Sequence, residues 1–150
     1  MEASLVMIEK TAGASPDMAS YVRFQSPVRH PRGHFPGVFA LVNNLARDGK
    51  LTPEQEHFRR TNNDWYNAAY TNPSTVDPTV YDHDRNPGAV SWFKSSSRAL
   101  IRRVDGYLEI LATHGVDFRR VESSDPGRIV YEGADQVVVV PHDGDQWPER

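Results

Sequence analysis

"VDFRRVESSDPGRIVYEGADQVVVV", residues 116–140, decides the fold. It holds three runs rich in β-branched and aromatic residues: VDFRRVE (116–122), RIVYE (128–132) and QVVVV (136–140). They are separated only by SDPG and by a short turn around Gly133. Links this short make neighbouring strands antiparallel, so the stretch predicts a three-strand meander. Val137 to Val140 do not alternate with polar residues, which predicts a strand covered on both faces and hence central. Pro141 ends it, because proline has no N–H for the ladder.

Upstream, Leu100, Ile101, Val104, Leu108 and Leu111 recur at helical spacing and predict one helix from about Ser96 to His114, with Gly115 as its stop. AVSWF (89–93) predicts a short strand in which Trp92 and Phe93 point to opposite faces. Thr52, Pro53 and Gln55 are the N-cap, N1 and N3 residues of a capping box, and open a helix whose inner face is Phe58, Trp65, Tyr66 and Ala69. Val38, Leu41, Val42 and Leu45 mark an earlier helix ending at Gly49. SYVRFQS (20–26) predicts the first strand, and the proline-rich 27–37 and 71–88 segments predict irregular chain. The sum is a single α+β domain: a small, mostly antiparallel sheet with a C-terminal three-strand meander, packed by three helices. Its expected span is 19–141, with a mobile leader over 1–18 and a flexible tail over 142–150.

The 150 residues suit one domain. The absence of cysteine excludes disulfides, zinc–cysteine sites, iron–sulfur clusters and thiol catalysis. A formal charge of −3 without a Lys/Arg-rich block argues against general nucleic-acid binding. No stretch reaches the roughly 20 apolar residues of a membrane helix, so the expectation is a cytoplasmic protein. The common nucleotide, hydrolase, metalloprotease and EF-hand signatures are missing.

Three clusters carry potential chemistry. Six histidines include His30 and His34 four apart, yet Pro31, Gly33 and Pro36 forbid the helix that would align them. Asp82-His83-Asp84 and His142-Asp143 also mix metal donors, but solvated loop residues are the better reading, and no metal is assigned. Arg29, His30, Arg32 and His34 crowd one loop that could contact phosphate; plain solubility is the better reading. The third cluster is Lys94, Ser95, Ser96, Ser97 and Arg98 at a helix start, with no following carboxylate before Asp105. Cations oppose the positive end of a helix dipole, and an anion among the serine hydroxyls would resolve the conflict. The competing reading is a solvated face of Lys94, Arg98, Arg102, Asp105 and Glu109, with an Arg102–Asp105 pair.

The SWFK of 91–94 and the PGRIVYEGADQVV of 126–138 resemble a group of small uncharacterised bacterial proteins. More faintly, Arg23 in YVRF, LARDGKL (45–51), SWFKSS (91–96) and Glu132 before QVVVVP resemble ADP-ribosyltransferase-like domains, with Gln136 where a second acidic residue often stands. That resemblance implies NAD as cofactor. Arg23, Lys94 or Arg98 would hold its pyrophosphate, Trp92 or a tyrosine would stack on the nicotinamide, and Glu132 would be the catalytic carboxylate. The expected function is therefore binding of, and transfer chemistry on, a phosphate-bearing ligand such as NAD at the helix start near Lys94–Arg98, through Arg23, Trp92, Lys94, Ser95, Ser96, Arg98 and Glu132. The alternative is a non-enzymatic module that docks a protein partner through 71–88 and the flanking Trp65, Tyr66, Tyr70 and Tyr81. A metal-dependent hydrolase ranks third.

Overall fold

A computed structural model of the chain describes residues 20–31, 33–69 and 71–142. The expected leader, all but the first residue of the expected tail, Arg32 and Tyr70 lie outside the described residues. The strands are β1 (Tyr21–Gln25), β2 (Val90–Lys94), β3 (Arg119–Ser123), β4 (Arg128–Glu132) and β5 (Gln136–Val140). The helices are α1 (Val38–Arg47), α2 (Pro53–Ala69), the single turn α3 (Pro73–Val76), α4 (Arg98–Arg102) and α5 (Asp105–Thr113). The fold class is α+β, with one five-stranded antiparallel sheet in the order β3-β1-β2-β5-β4.

The meander is corrected by that order. β4 and β5 form the expected hairpin, but β3 lies at the far edge, paired with β1 from Tyr21↔Ser123 to Gln25↔Arg119. The reason is β1, whose five residues are all buried. A strand buried along its whole length needs a partner on each side, and β3 and β2 supply them. The SDPG link is thus a crossing, not a hairpin turn. Ser123 stands beside Tyr21 at one end of the sheet, and Arg128 beside Val140 at the other. The outer strands of a flat five-stranded sheet would lie about 19 Å apart. The chain from Ser123 to Arg128 reaches about 17 Å at full stretch, and it must climb the sheet as well. The sheet is therefore rolled, and Pro126 of the link is fully buried.

Rolling gives the sheet two cores. The inner face gathers Tyr21, Trp92, Val121, Val137 and Val139. The outer face packs Val22, Phe24 and Phe93 against Val38, Val42, Tyr66, Leu100, Val104, Tyr107 and Leu111 of the helices. Trp92 and Phe93 thus face opposite ways, as strand alternation requires. β5 is paired on both sides, and Val137, Val138 and Val139 are fully buried.

The helices match their sequence signals except at one joint. The capping box is formed: the Gln55 amide N–H donates to Thr52 Oγ1 at 3.1 Å, and the Thr52 N–H to Gln55 Oε1 at 3.0 Å. Gly49 and Gly115 end their helices with φ of 71° and 69°. Ala69 is exposed, and Asn62 takes an inward place instead, accepting from Arg103 Nε at 3.0 Å. The single helix over 96–114 is corrected to α4 and α5. At the joint the Val104 N–H donates to Ile101 O, one residue short of the α-helical partner Leu100. The Leu100 carbonyl receives the Tyr66 hydroxyl at 2.6 Å. Beyond the break, Gly106 lets the Phe58 ring close in; a Cβ there would meet Phe58 Cζ at 2.1 Å.

Candidate functional site

The β2–α4 junction finds its carboxylates across the sheet. Lys94 Nζ lies 2.8 Å from Glu132 Oε2, so two expected site residues meet, but they meet as an ion pair with each other. The Lys94 N–H donates to Asp135 O at 2.8 Å, and Ser97 Oγ to Asp135 Oδ1 at 2.8 Å. Asp135 belongs to the β4–β5 turn, which the hairpin swings against the helix start. Ser95 is turned to the start of β1, its Oγ donating to Ser20 O at 2.8 Å and touching the Ser20 hydroxyl. Ser96, in the turn before the short α4, and Arg98, its first residue, are exposed. The expected solvated face is divided by the α4–α5 break, and no Arg102–Asp105 ion pair forms among the described residues.

Arg23 does not reach that junction. β1 and β2 pair only at Tyr21↔Lys94 and Val22↔Phe93 and then splay. Residues 35–37 wedge into the gap: Gln25 bridges Gly37, and the Ser26 N–H donates to Pro36 O at 2.8 Å. The Arg23 guanidinium fills what remains. Nη1 donates to Ser91 O, Nη2 to Phe35 O and Nε to Gln25 Oε1, each at 2.7 Å. A planar fork with several donors suits this, since it replaces ladder hydrogen bonds that the splayed strands cannot make. All three acceptors are neutral. Burial without a carboxylate lowers the Arg23 pKa to about 10, opposed by the nearby Tyr81 hydroxyl. Tyr81 is 43% exposed as a whole, but its hydroxyl is turned inward to Ser91, and burial raises its pKa.

Beside the guanidinium is a cleft of about 50 Å³ lined by Arg23, Gly37, Ser91, Trp92 and Gln136, among others. It draws on β1, β2 and β5. Gln136 stands at the start of β5 with its Nε2 donating to Thr71 O at 3.2 Å. Trp92 is 2% exposed and contributes to the wall as a core residue. Sequence reasoning missed Ser91 and Gln136 as members of this cleft.

The basic loop builds a second, smaller cleft of about 20 Å³ from Gln25, Arg29, His34, Phe35, Trp92 and Pro126, among others. The loop is tightly folded: Arg29 Nη1 donates to Gly33 O at 2.6 Å, the guanidinium lies 4.8 Å from the Phe35 ring centre, and His30 and His34 stack at 4.9 Å. His142 pairs with Asp125 at 2.8 Å. Among the described residues no group of three or more His, Asp or Glu side chains is arranged to hold a metal. None of the helices is long and apolar enough to cross a membrane, among the described residues.

Of the aromatics expected to dock a partner, Tyr66 is buried and Trp65 is covered by Arg103, 4.1 Å above its ring. Tyr81 alone is a large exposed aromatic among the described members. The 71–88 segment is ordered by turns, with Val80 fully buried and Asn86 Nδ2 donating to Val80 O at 3.0 Å. Comparison with family models, curated proteins and solved structures finds no match to this chain.

Proposed function

We propose that this chain binds a phosphate-bearing ligand of the NAD or nucleotide class at the cleft where β1, β2 and β5 meet, with Arg23 as the anchoring cation. The observation that carries the reading is a guanidinium buried among neutral partners. A buried charge is costly without a counter-charge, and an anion in the adjoining cleft supplies one. Ser91 and Gln136 line the same cleft and add polar groups. The faint resemblance to ADP-ribosyltransferase-like domains points the same way, since it too gives the early-strand cation to the ligand phosphates.

At about 50 Å³ the cleft is far smaller than the few hundred Å³ that a whole ligand fills, so only the anionic group enters. Glu132, the expected catalytic carboxylate, is 56% exposed and held by Lys94. The β5 residue in the cleft is Gln136, an amide that hydrogen-bonds but lacks the full charge that stabilises an oxocarbenium. Protein docking is the second reading, favoured by exposed Val76 and Tyr81 in the 71–88 segment.

Thermal-shift and calorimetric titrations with NAD, ATP and inorganic phosphate test the proposal on wild type, Lys94→Glu and Gly37→Val. A Cβ at Gly37 comes 3.2 Å from Arg23 Nη2, so the valine side chain fills the cleft. Binding that survives Lys94→Glu and is lost in a folded Gly37→Val protein is the expected result. No binding by any of the three, or equal binding by Gly37→Val, rejects the cleft.

A further inference from the structure

We infer that the smaller cleft under the basic loop is a carboxylate subsite, separate from the Arg23 cleft. The deciding atom is Gln25 Nε2. Gln25 is 2% exposed, and its Oε1 accepts from Arg23 Nε at 2.7 Å. That bond fixes the amide orientation, because Nε of arginine only donates and must face the oxygen. Nε2 is therefore forced the other way, and it is buried with no hydrogen-bond partner. A buried donor left without an acceptor is costly enough that native proteins rarely keep one unless water or a ligand completes it.

The surroundings select the acceptor. Gln25 lines the cleft together with Arg29 and His34, so its rim carries a guanidinium and an imidazole. The remaining wall is mostly apolar, with Phe35, Val90, Trp92, Pro126 and Pro141. About 20 Å³ admits one oxygen-sized atom. A carboxylate on an apolar stem meets all three conditions. One oxygen enters to reach Gln25 Nε2, the other faces Arg29 at the rim, and the stem stays at the mouth against the apolar lining residues. A phosphate would leave more charged oxygens outside against the apolar lining residues than a carboxylate does.

The side-chain amide resonances of Gln25 report on the site directly, by nitrogen-15 NMR of the whole chain titrated with acetate, acetamide and inorganic phosphate. Acetate is expected to shift the Gln25 pair saturably, and Arg29→Gln to weaken that binding about tenfold, the loss of one charge-assisted hydrogen bond. Arg29 is an exposed loop residue, so this variant keeps the core intact. Acetamide shifting the pair as strongly as acetate would mean a neutral acceptor site. That result, an equal response to phosphate, or no response to acetate (a site filled by water) overturns the inference. So does acetate binding unchanged by Arg29→Gln. Gly37→Val acts on the other cleft, so acetate binding in that variant separates failure here from failure of the proposed function.

Discussion

Arg23 is the residue on which the centre of the molecule depends. Three acceptors, Ser91 O, Phe35 O and Gln25 Oε1, are satisfied by one side chain. Lysine has no planar fork and cannot reach all three, so Arg23→Lys leaves buried acceptors unpaired. It is expected to cost about 2–4 kcal/mol, read as a lower urea midpoint with unchanged m value. Part of this was legible in YVRFQ. Arg23 and Gln25 are the polar residues at i and i+2, so alternation puts them on one face of an otherwise apolar strand. What the sequence could not reveal was the splay of β1 from β2, which depends on residues 35–37 arriving from outside the strand. Lys94 carries the same lesson. Its carboxylate is Glu132, 38 positions away, and no local pattern links them.

At the scale of elements, periodicity located the helices but not their continuity. Leu100, Val104 and Leu111 are buried, as the spacing implied. The break between α4 and α5 comes from contacts with α2, where Tyr66 takes a carbonyl and Phe58 occupies the space beside Gly106. Gly106 was visible in the sequence as a weak helix former, while the ring lying on it was not. Gly106→Ala tests that contact. Propensity alone predicts a gain of about 1 kcal/mol. The 2.1 Å approach to Phe58 Cζ predicts overpacking costing about 1–3 kcal/mol, so the net expectation is a lower Tm, measured by calorimetry. Phe58→Ala should remove the penalty and restore the helix-forming benefit of the alanine relative to glycine in that background.

For the whole molecule, the hairpin β4–β5 was readable because its turn is local, and the place of β3 was not because its partner lies about a hundred residues upstream. That rolled sheet has a consequence for how the chain acquires its structure. Both partners of β1 lie far downstream of it: Val22 pairs with Phe93 and with Glu122. β1 therefore keeps open edges until β2 and β3, both far downstream, have joined it. The β4–β5 hairpin is the sheet's local pairing, and the rest must wait for long loops to close. Refolding is expected on the millisecond-to-second scale of non-local topologies, not the microseconds of helical bundles, as stopped-flow tryptophan fluorescence would record. The link carrying Pro126 can cross the inner face only after the strands beneath it have assembled. Closure of that face, with Trp92 sealed beneath, therefore follows the pairing of the strands it covers.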